Sequence, residues 1–220
     1  MNKKNSTGLY LILFAILWTY LLVRTIRVPF LEDEIATWFI YIMHGHLLPM
    51  SGYVDANNHI LNSILAWLPA QFFDPSPAIL RLPNFVFFPV YYYYAYRITR
   101  LIESNLVRVA VFLGLVMTHH LFDFFGLCRG YGLGMALMMV SSYHAYLFLH
   151  AHRIRDFVLV IVTGFLMVWA HLSLLGTAYI LFALLLTGIL LSKNTKTWKL
   201  RFSVGLVFAF ACILGYSTWY

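Results

Sequence analysis

The sequence predicts an all-α membrane protein that crosses the bilayer several times. Of its 220 residues, 62% are hydrophobic and only 10% are charged, whereas a soluble domain carries about 25% charged residues. A mean hydropathy of +0.79 excludes a disordered chain. The net charge of +7 is typical of nucleic-acid-binding proteins only when the basic residues gather on one soluble face. Their distribution along the chain, described below, indicates topology instead, so we expect no nucleic-acid partner.

The first apolar segment, about 8–24, follows Lys3 and Lys4, as in a signal peptide. A small-residue cleavage site is missing after it, because the chain continues as Arg24-Thr25-Ile26-Arg27. We therefore expect an uncleaved first span.

Seven segments have roughly the length and apolar character of a spanning helix. They lie at about 8–24, 79–98, 106–119, 131–150, 156–171, 173–191 and 202–219. The apolar stretch 60–73 is shorter and contains Pro69. Since its apolar residues share one helical face, we expect a helix lying in the membrane interface. A second juxtamembrane helix is predicted by the spacing of apolar residues from Ile35 to Met43.

The basic residues fix the direction of these spans. Seven spans place eleven of the fifteen Lys and Arg residues on the side of the amino terminus, and such an excess marks the cytoplasmic side. If 60–73 also crossed the bilayer, nine of those eleven would move to the outer face. We therefore expect a multi-pass protein of the plasma or inner membrane, organised as a single module over 1–220. Its outer loops would be about 25–78 and about 119–130.

An acidic run, Glu32-Asp33-Glu34, opens the long first outer loop. Acidic residues favour a helix N-terminus, so the run is consistent with a solvated helix start. The alternative is a general base or metal ligand at the membrane surface, where partial burial raises the basicity of a carboxylate. A loop of this length between spans is more often functional than a simple connection.

Amides and arginines occupy the same predicted face. Asn57, Asn58 and His59 directly precede the apolar stretch 60–73. One Asn would suffice to cap a helix there, so the other polar side chains suit the binding of a polar ligand. Arg81 and Arg129 lie at the outer starts of spans. An arginine there either reaches the lipid headgroups or binds a phosphate through its planar guanidinium.

His119, His120 and Asp123 are the candidates for a metal site, although their spacing is not diagnostic. The cysteines Cys128 and Cys212 lie too far apart for a CxxC motif. No cofactor is required by these motifs, and a divalent metal stays an open alternative.

Four motifs together resemble the amino-terminal transmembrane module of the GT-C superfamily of glycosyltransferases, in particular the family-39-like protein mannosyltransferases and aminoarabinose transferases. They are Asp33-Glu34 after the first span, Asn57-Asn58-His59-Ile60-Leu61-Asn62, Arg81-Leu82-Pro83 and Cys128-Arg129-Gly130-Tyr131-Gly132-Leu133. Each is weak alone, whereas their order, spacing and sidedness are more specific. The resemblance covers about 8–150 well and the remainder only as hydrophobic spans.

The resemblance implies an inverting transfer of a sugar from a polyprenyl-phosphate donor, at the outer membrane face, to an acceptor glycan, lipid or protein. It implies Asp33 as the general base and Glu34 as a group that orients Asp33 or the acceptor. The donor would be bound by Asn57, Asn58, His59, Arg81, Arg129 and Tyr131. Since members of this superfamily usually have further spans, we also expect the chain to be a fragment.

Two other functions use the same outer polar groups without a catalytic base. One is a transporter of polyprenyl-linked glycans, and the other is a membrane scaffold whose outer loop binds a partner. Asp33 separates these alternatives, because only the enzyme needs its carboxylate.

Overall fold

The computed structural model describes residues 3–48 and 58–217, and within these ranges every regular element is a helix. The α-helices are α1 (Lys3–Arg27), α2 (Glu32–Thr37), α3 (Ile60–Ala70), α4 (Pro77–Thr99), α5 (Asn105–Met117), α6 (His119–Asp123), α7 (Gly130–Ala151), α8 (Ile154–Ala170), α9 (Leu175–Leu191) and α10 (Lys196–Ser217). A π-helical turn, Trp38–Ile42, extends α2, and 3₁₀ turns at Phe124–Gly126 and Leu172–Leu174 follow α6 and precede α9.

Helix α7 is the centre of the bundle and packs against both α4 and α8. On the α4 side, an aromatic-rich cluster joins α1, α4, α5 and α7, with Phe88, Phe112 and Phe125 almost fully buried. On the other side, an aliphatic cluster joins α7, α8, α9 and α10. A hydrophobic side chain stabilises a fold by about 1.5–3 kcal/mol when it is fully buried, so these two clusters hold the helices together.

Local signals in the sequence determine several helix starts. Ser76 caps α4 by accepting a hydrogen bond from the Ile79 N–H, and Pro77 occupies the first helical position, where its missing N–H costs nothing. Ser104 caps α5 in the same way through the Val107 N–H. The predicted spans agree with the observed helices to within a few residues, apart from α10, which begins six residues before the predicted start at 202.

The tyrosines of α4 bind neighbouring helices through their hydroxyls. Tyr91 donates to the Leu115 carbonyl at 2.9 Å, and Tyr92 donates to the Tyr10 carbonyl at 2.6 Å. The hydroxyl of Tyr94 lies 3.1 Å from Nε2 of His144 on α7. The run Tyr91–Tyr94 therefore links α4 to α1, α5 and α7.

The prediction of a helical membrane protein holds, but the count of seven spans is wrong. Within the described ranges, four helical segments are long and apolar enough to cross a membrane: Gly8–Arg27, Gly130–Ala151, Leu172–Leu191 and Lys196–Tyr216. A fifth arises if α5 and the α6 segment, which are bent by 50°, count as one span. Helix α8 is not among them because it has only 17 residues. Helix α4 is not among them because its arginines, Asn84 and tyrosines lower the mean hydropathy of α4.

The two expected interfacial helices form, but the structure does not support their predicted placement. Helix α3 buries Ile60, Asn62, Ser63 and Ala66 against α4, α7 and α8, whereas Leu68 on its apolar face is exposed. The polar side of α3 therefore points into the protein. Polar groups that face the bundle and apolar groups that face outward are the arrangement expected of a helix surrounded by lipid.

Burial divides the apolar helices into two classes. In α7, 72% of the most apolar segment is buried, compared with 11% in Gly8–Arg27 and 22% in each of Leu172–Leu191 and Lys196–Tyr216. The exposed large apolar side chains of α1, α9 and α10 form an extensive outer surface, as in a protein embedded in hydrocarbon.

Candidate functional site

Glu34 and Arg81 form a buried ion pair where α1, α2 and α4 meet. Both side chains are fully buried, and two parallel hydrogen bonds join them: Nε to Oε1 at 2.8 Å and Nη2 to Oε2 at 2.6 Å. Two-point contact of this kind is the strongest arginine–carboxylate geometry. We call this pair the Glu34–Arg81 clamp.

The remaining donors of Arg81 bind backbone carbonyls after α1. Nη1 donates to Thr25 at 3.2 Å and to Val28 at 2.7 Å, and Nη2 also donates to Pro29 at 2.9 Å. A guanidinium has five N–H donors, so all of them are occupied within the protein. Arg81, which the sequence predicted to bind the donor, has none left for a phosphate.

The carboxylate of Glu34 also accepts two backbone N–H groups. Leu31 donates to Oε2 at 3.0 Å, which caps the start of α2, and Cys128 donates to Oε1 at 2.6 Å. Glu34 therefore joins the start of α2 to the loop that carries Arg129. Glu34 is fully buried. The resemblance implied that it orients Asp33 or the acceptor.

Asp33 lies in the same helical turn and has the opposite environment. Its side chain is 68% exposed, and Oδ2 is 3.6 Å from Nη2 of the buried Arg129. This distance exceeds that of a direct hydrogen bond, so the two groups interact mainly as charges. Asp33 is the second residue of α2, and the helix dipole favours a negative charge in this first turn. Asp33 thus offers a solvent-accessible carboxylate beside a buried cation.

Arg129 is held in place from both sides of the chain. The preceding residue, Cys128, is bound to Glu34, and the following residue, Gly130, lies against the end of α8. A Cβ on Gly130 would be 1.6 Å from the Ala170 carbonyl oxygen and 3.0 Å from the His59 Cβ. Only glycine allows this approach, so Gly130 fixes the position of Arg129, which directly precedes α7.

Aromatic rings and imidazoles pack in a row beside Arg129. Ring centroids are 4.5 Å apart for Phe124 and Tyr131, 4.0 Å for Tyr131 and His171, and 4.6 Å for His171 and His59. The guanidinium of Arg129 lies 5.7 Å from the Tyr131 ring centroid. We call these residues, with Arg129, the Arg129 cluster. It contains His59, Arg129 and Tyr131, which the sequence predicted, and His171, which it did not.

Both imidazoles of the Arg129 cluster are kept neutral. Burial and then the charges of Arg129 and His171 lower the pKa of His59 to about 2, while the Ala170 carbonyl acts in the opposite direction. Burial and then the charge of Arg129 lower the pKa of His171 to about 4. Desolvation and a nearby cation both disfavour the imidazolium form. The net charge of the cluster therefore comes from Arg129.

The side-chain amides of Asn62 and Asn84 form a hydrogen-bond network next to the Arg129 cluster. The Asn84 side chain donates to the side-chain oxygen Oδ1 of Asn62 at 2.7 Å and accepts from the Leu133 N–H at 2.8 Å, near the start of α7. Asn62 donates to Sγ of Cys128 at 3.6 Å, and burial raises the pKa of that thiol to about 12. Asn62 and Asn84 therefore link α3, α4 and α7.

Asn58 belongs to the scaffold around the site. It donates to the Leu47 carbonyl at 3.3 Å and accepts from the Ser63 hydroxyl at 3.1 Å. Its neighbour Asn57, also predicted to bind the donor, lies outside the described residues.

The predicted metal candidates are only partly brought together. Oδ2 of Asp123 lies 3.3 Å from Nδ1 of the exposed His119 and 3.2 Å from Nη2 of Arg24. His120 contacts His119 through their rings, with centroids 5.8 Å apart. Over 3–48 and 58–217, no three His, Cys, Asp or Glu side chains are grouped so that they could hold a metal ion.

Comparisons with known proteins identify no relative: no family model matches the chain, and searches of curated proteins and of solved structures find no significant match. The arrangement of the side chains is therefore the basis for a functional assignment.

Proposed function

We propose that this chain is a membrane glycosyltransferase that moves a sugar from a polyprenyl-phosphate donor to an acceptor hydroxyl, with inversion at the anomeric carbon. The observation that carries the proposal is the pairing of an exposed carboxylate, Asp33, with a buried arginine, Arg129, 3.6 Å away. Such a pair supplies a base for the acceptor and a cation for the phosphate at neighbouring positions. The resemblance to GT-C enzymes assigns the same two residues to these tasks.

The proposed reaction needs one proton transfer and one displacement. The acceptor hydroxyl gives its proton to a carboxylate oxygen of Asp33 while its oxygen forms a bond to the anomeric carbon. The bond from that carbon to the phosphate oxygen breaks, and its electron pair stays on the polyprenyl phosphate. Arg129 stabilises the charge that develops there, and its attachment through Cys128 and Gly130 holds it ready before reaction. The Glu34–Arg81 clamp positions both groups and touches neither substrate.

The surroundings suit a substrate with a long apolar tail. Large apolar side chains close to the acidic turn in the chain are exposed: Ile26, Ile35 and Phe39. Such a patch beside charged groups favours a ligand that is anchored in lipid and presents a charged head.

The charge distribution supports an extracytoplasmic location for the site. The site lies at the C-terminal ends of α1 and α8 and the N-terminal ends of α4 and α7. Eleven of the fifteen basic residues lie at the other ends of the helices or in the connections there: Lys3, Lys4, Arg97, Arg100, Arg108, Arg153, Arg155, Lys193, Lys196, Lys199 and Arg201. If the shorter or more polar helices α4, α5 and α8 also cross the bilayer, the positive-inside rule assigns that end to the cytoplasm.

The release of polyprenyl phosphate tests the proposal whichever sugar the donor carries. The purified chain in lipid nanodiscs is incubated with polyprenyl-phosphate-linked hexoses and pentoses and a mixed panel of hydroxyl acceptors. We expect release with at least one donor, and loss of release in Arg129→Ala. A transporter would bind the same donors and release nothing, and a scaffold would not bind them; either result contradicts the proposal.

A further inference from the structure

His171 is a buried imidazole with one nitrogen whose role is fixed by the backbone. Its side chain is 8% exposed and precedes the 3₁₀ turn at Leu172–Leu174. The Ser173 backbone N–H donates to Nδ1 at 3.2 Å. Since an N–H group can only donate, Nδ1 is the acceptor, and the proton of the neutral ring lies on Nε2.

The Nε2–H of His171 is a buried donor without a hydrogen-bond partner. Leaving such a group unsatisfied costs about 1–3 kcal/mol, so an unpaired donor in a folded protein calls for a ligand, an ion or a water molecule to accept from it. The ring stacks on His59 with centroids 4.6 Å apart and lies tilted against Tyr131 at 4.0 Å. After burial, the charge of Arg129 is the second cause of its lowered pKa. The unpaired donor is therefore part of the Arg129 cluster.

The charges nearby indicate which acceptor fits. Arg129 is a buried cation, and its carboxylate partner Asp33 is mostly exposed to solvent and 3.6 Å away. An anionic oxygen placed between Arg129 and Nε2–H would receive a charge-assisted hydrogen bond from each. An uncharged sugar hydroxyl would gain less from the same position, because it carries no charge to interact with the guanidinium.

We infer that His171 is a second phosphate-binding residue, whose Nε2–H donates to a phosphate oxygen of a polyprenyl-phosphate ligand held by Arg129. This inference rests on the proposed function and extends it to a residue outside the four motifs. It assigns His171 a role in binding the ligand before the chemical step. The residue therefore affects binding of the phosphate lipid whether or not sugar is transferred.

Two substitutions separate ligand binding from the structural role of His171. In His171→Asn the side-chain oxygen still accepts from the Ser173 N–H, but no donor extends to the position of Nε2. In His171→Gln the longer amide places an N–H donor near that position. His150→Asn, on an exposed histidine near the end of α7, is the matched control.

The experiment measures binding of polyprenyl monophosphate to the chain in nanodiscs, with uncharged polyprenol and inorganic phosphate as separate probes. We expect His171→Asn to weaken polyprenyl monophosphate binding about tenfold or more, the usual effect of losing a hydrogen bond to a charged group. His171→Gln should recover part of that loss, and His150→Asn should bind as the wild type does. Polyprenol affinity should not change, and inorganic phosphate alone should compete weakly if the lipid is the ligand.

The outcomes distinguish this inference from the proposed function. Wild-type affinity in His171→Asn overturns the inference, because the residue then acts only as a cap for the 3₁₀ turn and a water molecule suffices for Nε2–H. A wild-type protein that binds polyprenyl monophosphate in a His171-dependent way but transfers no sugar overturns the proposed function and leaves the inference standing. A wild-type protein that binds no phosphate lipid overturns both.

Discussion

Two acid–arginine pairs lie side by side in this protein, and they differ in almost every physical respect. In the Glu34–Arg81 clamp both partners are fully buried, two hydrogen bonds join them, and every guanidinium donor is occupied. In the Asp33–Arg129 pair the acid is 68% exposed and the charges are 3.6 Å apart. One pair has no capacity for a ligand, whereas the other has a carboxylate open to solvent. Adjacent acids in one helical turn can therefore lie in opposite environments, one buried and fully paired and the other open to solvent.

The clamp should dominate stability. Removing one partner of a buried ion pair leaves the other charge uncompensated, so we expect Glu34→Gln or Arg81→Met to cost about 3–5 kcal/mol in unfolding free energy. Thermal unfolding in detergent measures the loss. Asp33→Asn is the matched control in the same turn. If Glu34→Gln and Asp33→Asn unfolded at the same temperature, the contrast between the two pairs would be wrong.

The backbone contact at Gly130 should rank second. In Gly130→Ala the new Cβ meets the Ala170 carbonyl, so α7 and α8 must separate, which costs about 3 kcal/mol on the scale of overpacked cores. Gly114→Ala and Gly176→Ala are controls, since a Cβ at either position meets nothing within 4 Å. The difference in unfolding temperature between Gly130→Ala and these controls checks the prediction. Equal temperatures would mean that Gly130 does not set the position of Arg129.

The amide network should have a smaller effect. Asn84→Ala removes the hydrogen-bond partner of the Leu133 N–H and of the Asn62 side-chain oxygen Oδ1 in the interior. We expect a loss of about 1–3 kcal/mol in unfolding free energy. A structural role for Asn84 predicts that the remaining folded protein keeps its phosphate-lipid affinity, and an affinity loss larger than that of Gly130→Ala would instead make Asn84 part of the binding site.

The Arg129 cluster should make stability depend on pH. The pKa of His171 falls to about 4 on folding, and that of His59 to about 2, from the ordinary value of 6.5. The unfolded chain therefore binds more protons below pH 6.5, and the folded state loses stability as the pH falls from 6.5 toward 4. Each histidine contributes at most about 1.4 kcal/mol per pH unit.

The decrease in unfolding temperature between pH 7 and pH 5 measures this effect. It should be smaller in His171→Asn, which removes one titrating group, and unchanged in His150→Asn. An identical decrease in His171→Asn and the wild type would show that His171 is not held neutral by burial and Arg129.

The sequence predicted the helices well because their signals are local. Apolar stretches of sufficient length predicted α1, α7 and α9, and Ser76-Pro77 marks the start of α4. The number of spans was overestimated, because α4, α5 and α8 combine apolar character with polar groups or with short length. Such helices are stabilised by packing against other helices of the bundle, and these contacts cannot be read from the sequence.

The candidate site was predicted by residue type but not by role. The motifs contained Asp33, Glu34, Arg81 and Arg129, yet nothing local indicates which acid turns inward. That outcome depends on Arg81, 47 positions later, and on the backbone of Cys128, 94 positions later. His171 was missed because it lies outside the four motifs. Its only signal was a polar side chain in a tight turn between two apolar segments.

The central claim is that Asp33 acts as the general base while Glu34 has a structural role in the Glu34–Arg81 clamp. Sugar transfer by Asp33→Asn tests this claim most directly. The substitution removes the base and keeps the shape, so we expect transfer to fall at least about a hundredfold, as for loss of a general base. The unfolding temperature should stay near that of the wild type, because a largely exposed ion pair contributes about 0–1 kcal/mol. Transfer by Asp33→Asn at the wild-type rate, measured per folded molecule, would contradict the account.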